Sequence, residues 1–114
     1  AEVAALGRRV VTDTRPDPSL ATPESTWKTF VDALRRADLA RAWTCTTPGL
    51  RNKFEPAFKA MTPAQLEQMA DSISAFARTS EYGEFVEAFV AKASGNAGFV
   101  TFVRQGREWR IAEM

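Results

Sequence analysis

The chain contains no histidine. That absence removes imidazole acid–base catalysis, Ser-His and Cys-His nucleophile pairs and the usual zinc ligand sets. Cysteine occurs once, as Cys45, so no disulfide can close within the chain, and the redox compartment stays open. No apolar run approaches the roughly 20 residues of a membrane-spanning helix. A signal peptide with a basic start and apolar core is missing as well. An excess of one charge is also lacking: 15 Lys and Arg are interspersed with 14 Asp and Glu. Phosphate binding needs a concentrated basic face, and the pairs Arg8-Arg9 and Arg35-Arg36 are too short to make one, so nucleic acid is not expected as a partner. With no glycine-rich phosphate loop and no carboxylates at calcium-loop spacing, neither cofactor nor metal is expected.

What is present describes one globular domain of 114 residues. Residues 1–21 read as a flexible leader. In "TDTRPDPSLATP", Pro16, Pro18 and Pro23 among small polar residues favour irregular backbone. The preceding "VAALGRRVV" fits a short helix or an edge strand equally. Beginning at Ala1 rather than Met, the chain is expected to be a mature or trimmed product. An extracytoplasmic or membrane-tethered protein, its signal or anchor lying outside this chain, is favoured over a cytoplasmic one.

From Thr22 onward the pattern is helical. Thr22 suits an N-cap and Pro23 the first helical position, and Trp27, Phe30, Val31 and Leu34 form an amphipathic stripe. Asp32 and Arg36 on the other face have the spacing of a helical ion pair. A second short helix fits "DLARAWTCTT", capped by Asp38, with Pro48-Gly49 as punctuation after it. In "LRNKFEPAFKAM", Leu50, Phe54, Ala57, Phe58 and Met61 share one face, and Pro56 is expected to split the segment into two short turns. Thr62-Pro63-Ala64-Gln65 is a capping box, with Leu66, Met69, Ala70, Ile73 and Phe76 following at helical spacing.

The period then drops to two. "ARTSEY", "EFVEAFVAK", "GFVTFVRQ" and "EWRIAEM" read as four strands, joined by turns at Gly83, Ser94-Gly95-Asn96 and Gln105-Gly106-Arg107. Connections this short make antiparallel neighbours. Helices followed by strands imply an α+β fold, the helices packed on one face of a curved antiparallel meander. Both middle strands are nevertheless apolar on two faces: Phe85 and Phe89 alternate with Val86, Ala88 and Val90, and Phe99 and Val103 with Val100 and Phe102. The leader, a second subunit or a ligand is expected to cover the second face.

The segments "TPESTWKTFVDALRRADLARAWTCTTPGLR" (residues 22–51) and "GREWRIAEM" (residues 106–114) resemble the nuclear transport factor 2-like superfamily, also described as cystatin-like. The likeness is to its small bacterial members, many of them exported or lipoprotein-type and of unassigned function, and it covers residues 22–114. The resemblance implies a cone-shaped half-barrel around an apolar cavity, with dimerisation through the outer sheet face. Some relatives are isomerases or dehydratases using Asp/His pairs or Tyr/Asp donors. A chain without histidine cannot hold the first arrangement, and no position here matches a family catalytic motif.

Among single residues, Glu87 is the catalytic candidate. It lies between Phe85 and Phe89 on one strand face, where a carboxylate inside an apolar cone would be desolvated and act as a base. The plainer reading puts Glu87 at a wet margin or pairs it with Arg104 or Arg110. Tyr82 with Asp71 would make an oxyanion donor pair if the two met. Trp27, Phe30, Trp43, Phe54, Phe58, Tyr82 and Trp109 are candidates to line a ligand pocket, though the core needs most of them anyway. Phe85, Phe89, Phe99 and Val103 are candidates for an interface. Cys45 reads as a small packing residue.

The expected function is a non-catalytic module, binding an apolar small molecule or another protein, and homodimeric through its sheet. The alternative is a cofactor-free isomerase or dehydratase with a carboxylate base. A structural role beside an envelope protein partner is a third reading.

Overall fold

In the computed structural model, residues 17–93, 95 and 97–114 are described, so the "VAALGRRVV" stretch and the rest of residues 1–16 lie outside them. The described chain begins at Asp17. Its carboxylate caps a 3₁₀ turn, Pro18–Leu20, and meets the Arg41 guanidinium at 2.7 Å. That guanidinium holds the Asp17 carboxyl below its ordinary range. The Asp17 N–H donates to a Glu108 carboxylate oxygen at 2.6 Å, and Leu20 is fully buried. Residues 17–21, assigned to the leader from composition, are therefore tied to the domain at both backbone and side chain.

Helix α1 (Pro23–Arg35) begins at a capping box closed by Ser25: the Thr22 hydroxyl accepts from the Ser25 N–H, and the Ser25 hydroxyl from the Thr22 N–H. Its buried stripe runs through Trp27, Phe30, Ala33 and Leu34. Asp32 pairs with Lys28 and Arg35 instead of Arg36, because Arg36 is the C-cap and has left the helical face. The chain then reverses through Ala37, whose φ is +57°, with the Ala37 N–H donating to the Leu34 carbonyl and the Asp38 N–H to that of Ala33. This is a Schellman ending built on a residue with a Cβ. Asp38 immediately caps α2 (Leu39–Thr44).

Two expectations fail in α3 (Pro48–Lys59). Pro48-Gly49 opens the helix instead of punctuating the chain: Thr47 is the cap, and Pro48 occupies the first turn, where its missing N–H costs nothing. Pro56 lies inside one continuous helix. Pro56 and Asn52 are both exposed, so the Asn52 carbonyl deprived of its helical donor can turn to water, while Leu50 and Phe58 remain buried on the opposite side.

Helix α4 (Pro63–Asp71) has the expected Thr62-Gln65 capping box but stops at Ser72. Ile73 and Phe76, read as its continuation, belong to strand β1 (Ile73–Tyr82). A register shift between Ile73 and Ala75 lets two residues three apart point the same way along a strand, which imitates a helical period. Strands β2 (Phe85–Lys92), β3 (Ala97–Gln105) and β4 (Glu108–Glu113) follow in an antiparallel meander of order β1-β2-β3-β4. Gly83 and Gly106 hold the two-residue turns with φ of +61° and +68°.

The fold is thus α+β, with the described helices on one sheet face. Val86, Ala88, Val90, Val100, Phe102 and Ile111 are buried on that inner face. The β4 edge is closed by residues 45–47: the Ile111 N–H donates to the Cys45 carbonyl at 2.8 Å, and the Thr47 N–H to the Ile111 carbonyl at 2.9 Å.

The left-handed backbone at Ala37 generates a stability prediction. Ala37→Gly relieves the Cβ penalty there and is expected to stabilise the domain by about 1 kcal/mol. Urea unfolding monitored by circular dichroism measures it, and an unchanged midpoint would mean Ala37 is unstrained.

Candidate functional site

Between the helices and the sheet lies a pocket of about 350 Å³. Trp27, Phe30 and Leu34 of α1 form its roof, Phe54 and Phe58 of α3 one wall, and Met69 and Ile73 the other. Val90 and Val100 supply the floor, and Met114 also borders it. The rings of the walls brace one another: Trp27 stacks on Phe76, and Phe54 meets Phe58 at a tilt, with centroids 5.9 and 6.0 Å apart.

The opening has a local cause in β3. Gly98 pairs with Val90, so it occupies an inward-facing position with no side chain. A Cβ built there would meet nothing within 4 Å. The exposed members of the lining, Lys92, Ala97, Gly98 and Phe99, all flank the β2–β3 hairpin, so the pocket meets solvent there. Lys92 is the single ionisable side chain among the lining residues. At this size the pocket falls within the range of small-molecule sites.

Of the seven pocket candidates, Trp27, Phe30, Phe54 and Phe58 line it. Trp43 stands behind the wall, its ring 5.3 Å from that of Phe58. Trp109 lies on β4 beneath the Arg104 guanidinium, and its carbonyl accepts from the buried Thr26 hydroxyl at 2.9 Å. Tyr82 ends β1, 56% exposed, away from the pocket. It does not meet Asp71 either: Asp71 precedes β1 and is held by Arg35 at 2.8 Å, so the ten-residue strand separates them.

Glu87 is corrected in the same way. Its register partners Ser80 and Thr101, together with buried Val86 and Ala88 on either side, put it on the outer sheet face, opposite the pocket. The arginines considered as its partners are engaged elsewhere, Arg104 by Glu84 and Arg110 by Glu108. Cys45 is fully buried, and burial pushes its thiol up, which suits packing more than nucleophilic attack. Among the described residues no cluster of three or more His, Cys, Asp or Glu side chains is arranged to hold a metal.

The four interface candidates do come together. Phe85, Glu87 and Phe89 on β2 lie beside Val103, Thr101 and Phe99 on β3. Phe85, Phe89 and Phe99 are 45%, 36% and 57% exposed, with the Phe89 and Phe99 rings edge to face at 5.9 Å. Three large apolar side chains in adjacent rows make a patch, not scattered surface residues.

No family model matches the chain, and no curated protein matches it. Among solved structures, the chain is similar to a provisionally described nuclear-transport-factor-2-like transpeptidase from Campylobacter jejuni. The two are 13% identical, with a TM-score of 0.44, over 82% of this chain and 99% of that one. A likeness of that size carries nothing about what this chain binds.

The position of Gly98 can be tested directly. Gly98→Phe places a ring in open space at the pocket mouth, so the far-UV spectrum should be retained while binding of the apolar dye 1-anilinonaphthalene-8-sulfonate falls at least about tenfold. Full dye binding by the folded variant would place the dye elsewhere.

Proposed function

We propose that this domain is a binding module for a small, largely apolar molecule held between α1 and the sheet. The observation that carries the reading is the lining itself: a pocket of about 350 Å³ walled by aromatic and aliphatic side chains and open at one end. Such a cavity hydrates poorly, so a ligand gains the transfer of its own apolar surface without displacing well-bonded water. The alternative, isomerisation by a carboxylate base in the cone, finds no support in the lining, which among the described residues includes neither Asp nor Glu.

The outer face supports a second element of the proposal, a homodimer. An isologous contact sets the Phe85, Phe89 and Phe99 rows of one copy against the same rows of another, so a single patch satisfies both partners. Glu87 lies within the patch, between the exposed Phe85 and Phe89.

Two measurements check these readings. Straight-chain alcohols from hexanol to decanol should bind with affinities rising about fourfold per methylene until the pocket is full, following about 0.8 kcal/mol per buried CH₂. Affinity independent of chain length would remove the binding proposal. For the dimer, sedimentation equilibrium should show association at micromolar concentration, weakened at least about tenfold by Phe89→Asp with the fold retained. A wild-type monomer throughout that range would end the dimer reading.

A further inference from the structure

We infer that the ligand is an anionic amphiphile, its single negative head bound by Lys92 at the pocket mouth and its apolar body inside. This rests on the proposed binding role and adds the ligand's chemical class. Val86, Ala88 and Val90 are the buried inward row of β2, and Lys92 continues that row beyond the last of them, opposite Ile73. A lysine there lays its four-carbon stem along the apolar wall and leaves its ammonium at the water boundary. Both Lys92 and Gly98 border the pocket, so the cation stands beside the gap through which a ligand would enter.

Arg35, Arg41, Arg78, Arg104 and Arg110 each meet a carboxylate at ion-pairing distance. Among the described residues, none does so with Lys92. The acid nearest in sequence to its strand partner Ile73 is Asp71, and that carboxylate already accepts from the Arg35 side chain at 2.8 Å. An apolar pocket with an ammonium at its rim that no described carboxylate pairs with selects a long-chain carboxylate, or a similar monoanionic amphiphile, over a neutral or cationic molecule of equal length.

The test compares decanoate with 1-decanol by isothermal titration against wild type, Lys92→Met and Lys92→Arg. Decanoate should bind wild type about three- to tenfold more tightly than decanol. The difference should disappear in Lys92→Met, persist in Lys92→Arg and shrink as salt is raised. Equal affinities in wild type, or a preference that survives Lys92→Met, would overturn this inference while leaving the apolar pocket reading intact. Failure of both ligands to bind would overturn the two together.

Discussion

Trp27 stacks on Phe76, and Phe76 meets Phe102 edge-on, with centroids 5.9 Å apart in both pairs. Through these three rings α1 is fastened to β1 and β3, and the rest of the fold depends on that junction. Helices of 6 to 13 residues are marginal alone in water. They persist because α1 buries its stripe on the sheet, α2 and α4 pack against α1, and α3 packs against β4. Each fully buried side chain of this kind contributes about 1.5–3 kcal/mol of transfer free energy, so the junction outweighs any surface ion pair in the molecule.

The same junction explains why there is a pocket. Where Phe76 and Phe102 rise from the sheet, the space beneath α1 is filled. Across from Phe76 on β2 and β3 the inward positions are Val90 and Gly98, with Val100 next along β3, and these are short or lack a side chain altogether. The helix stays at the height set by the larger rings, and the smaller residues do not reach it. Phe54 and Phe58 of α3 close one flank but leave the mouth beside the β2–β3 hairpin. The cavity follows from unequal side-chain size across one continuous face.

Much of the fold was legible because its boundaries are written in local chemistry. Thr22, Asp38 and Thr62 cap helices through bonds to the backbone three residues on, and Gly83 and Gly106 adopt backbone that few other residues tolerate. The errors arose where local signals were ambiguous. Pro56 is a breaker by intrinsic preference, yet at an exposed position between buried Leu50 and Phe58 the loss of one hydrogen bond is small beside the packing retained. Ile73 and Phe76 fit a helix until a bulge is known, and bulges leave little trace in sequence. Of the site, the aromatic walls were legible as an amphipathic stripe. Gly98 and Lys92 were not, because their meaning comes from cross-strand register. Glu87 went wrong for the same reason: alternation shows that Phe85, Glu87 and Phe89 share a face, but not which face the helices take.

Helices choose between two apolar faces by what they must bury and what they would strand. On the inner face Arg78 is the charged intrusion opposite Ala88, and it is matched by Glu24 from α1 at 2.7 Å. That pair is solvent-exposed and gives the cation a partner beside the start of α1. On the outer face Glu87 sits mid-sheet between phenylalanines, and its register neighbours Ser80 and Thr101 carry no cation to meet it. Covering that face with α1 would bury a carboxylate unpaired, which costs several kcal/mol, whereas leaving it open keeps the carboxylate in water at the expense of exposed aromatics. The placement of Glu87 thus favours helices on the opposite face, which becomes the wall of the pocket, and leaves its own face open to water.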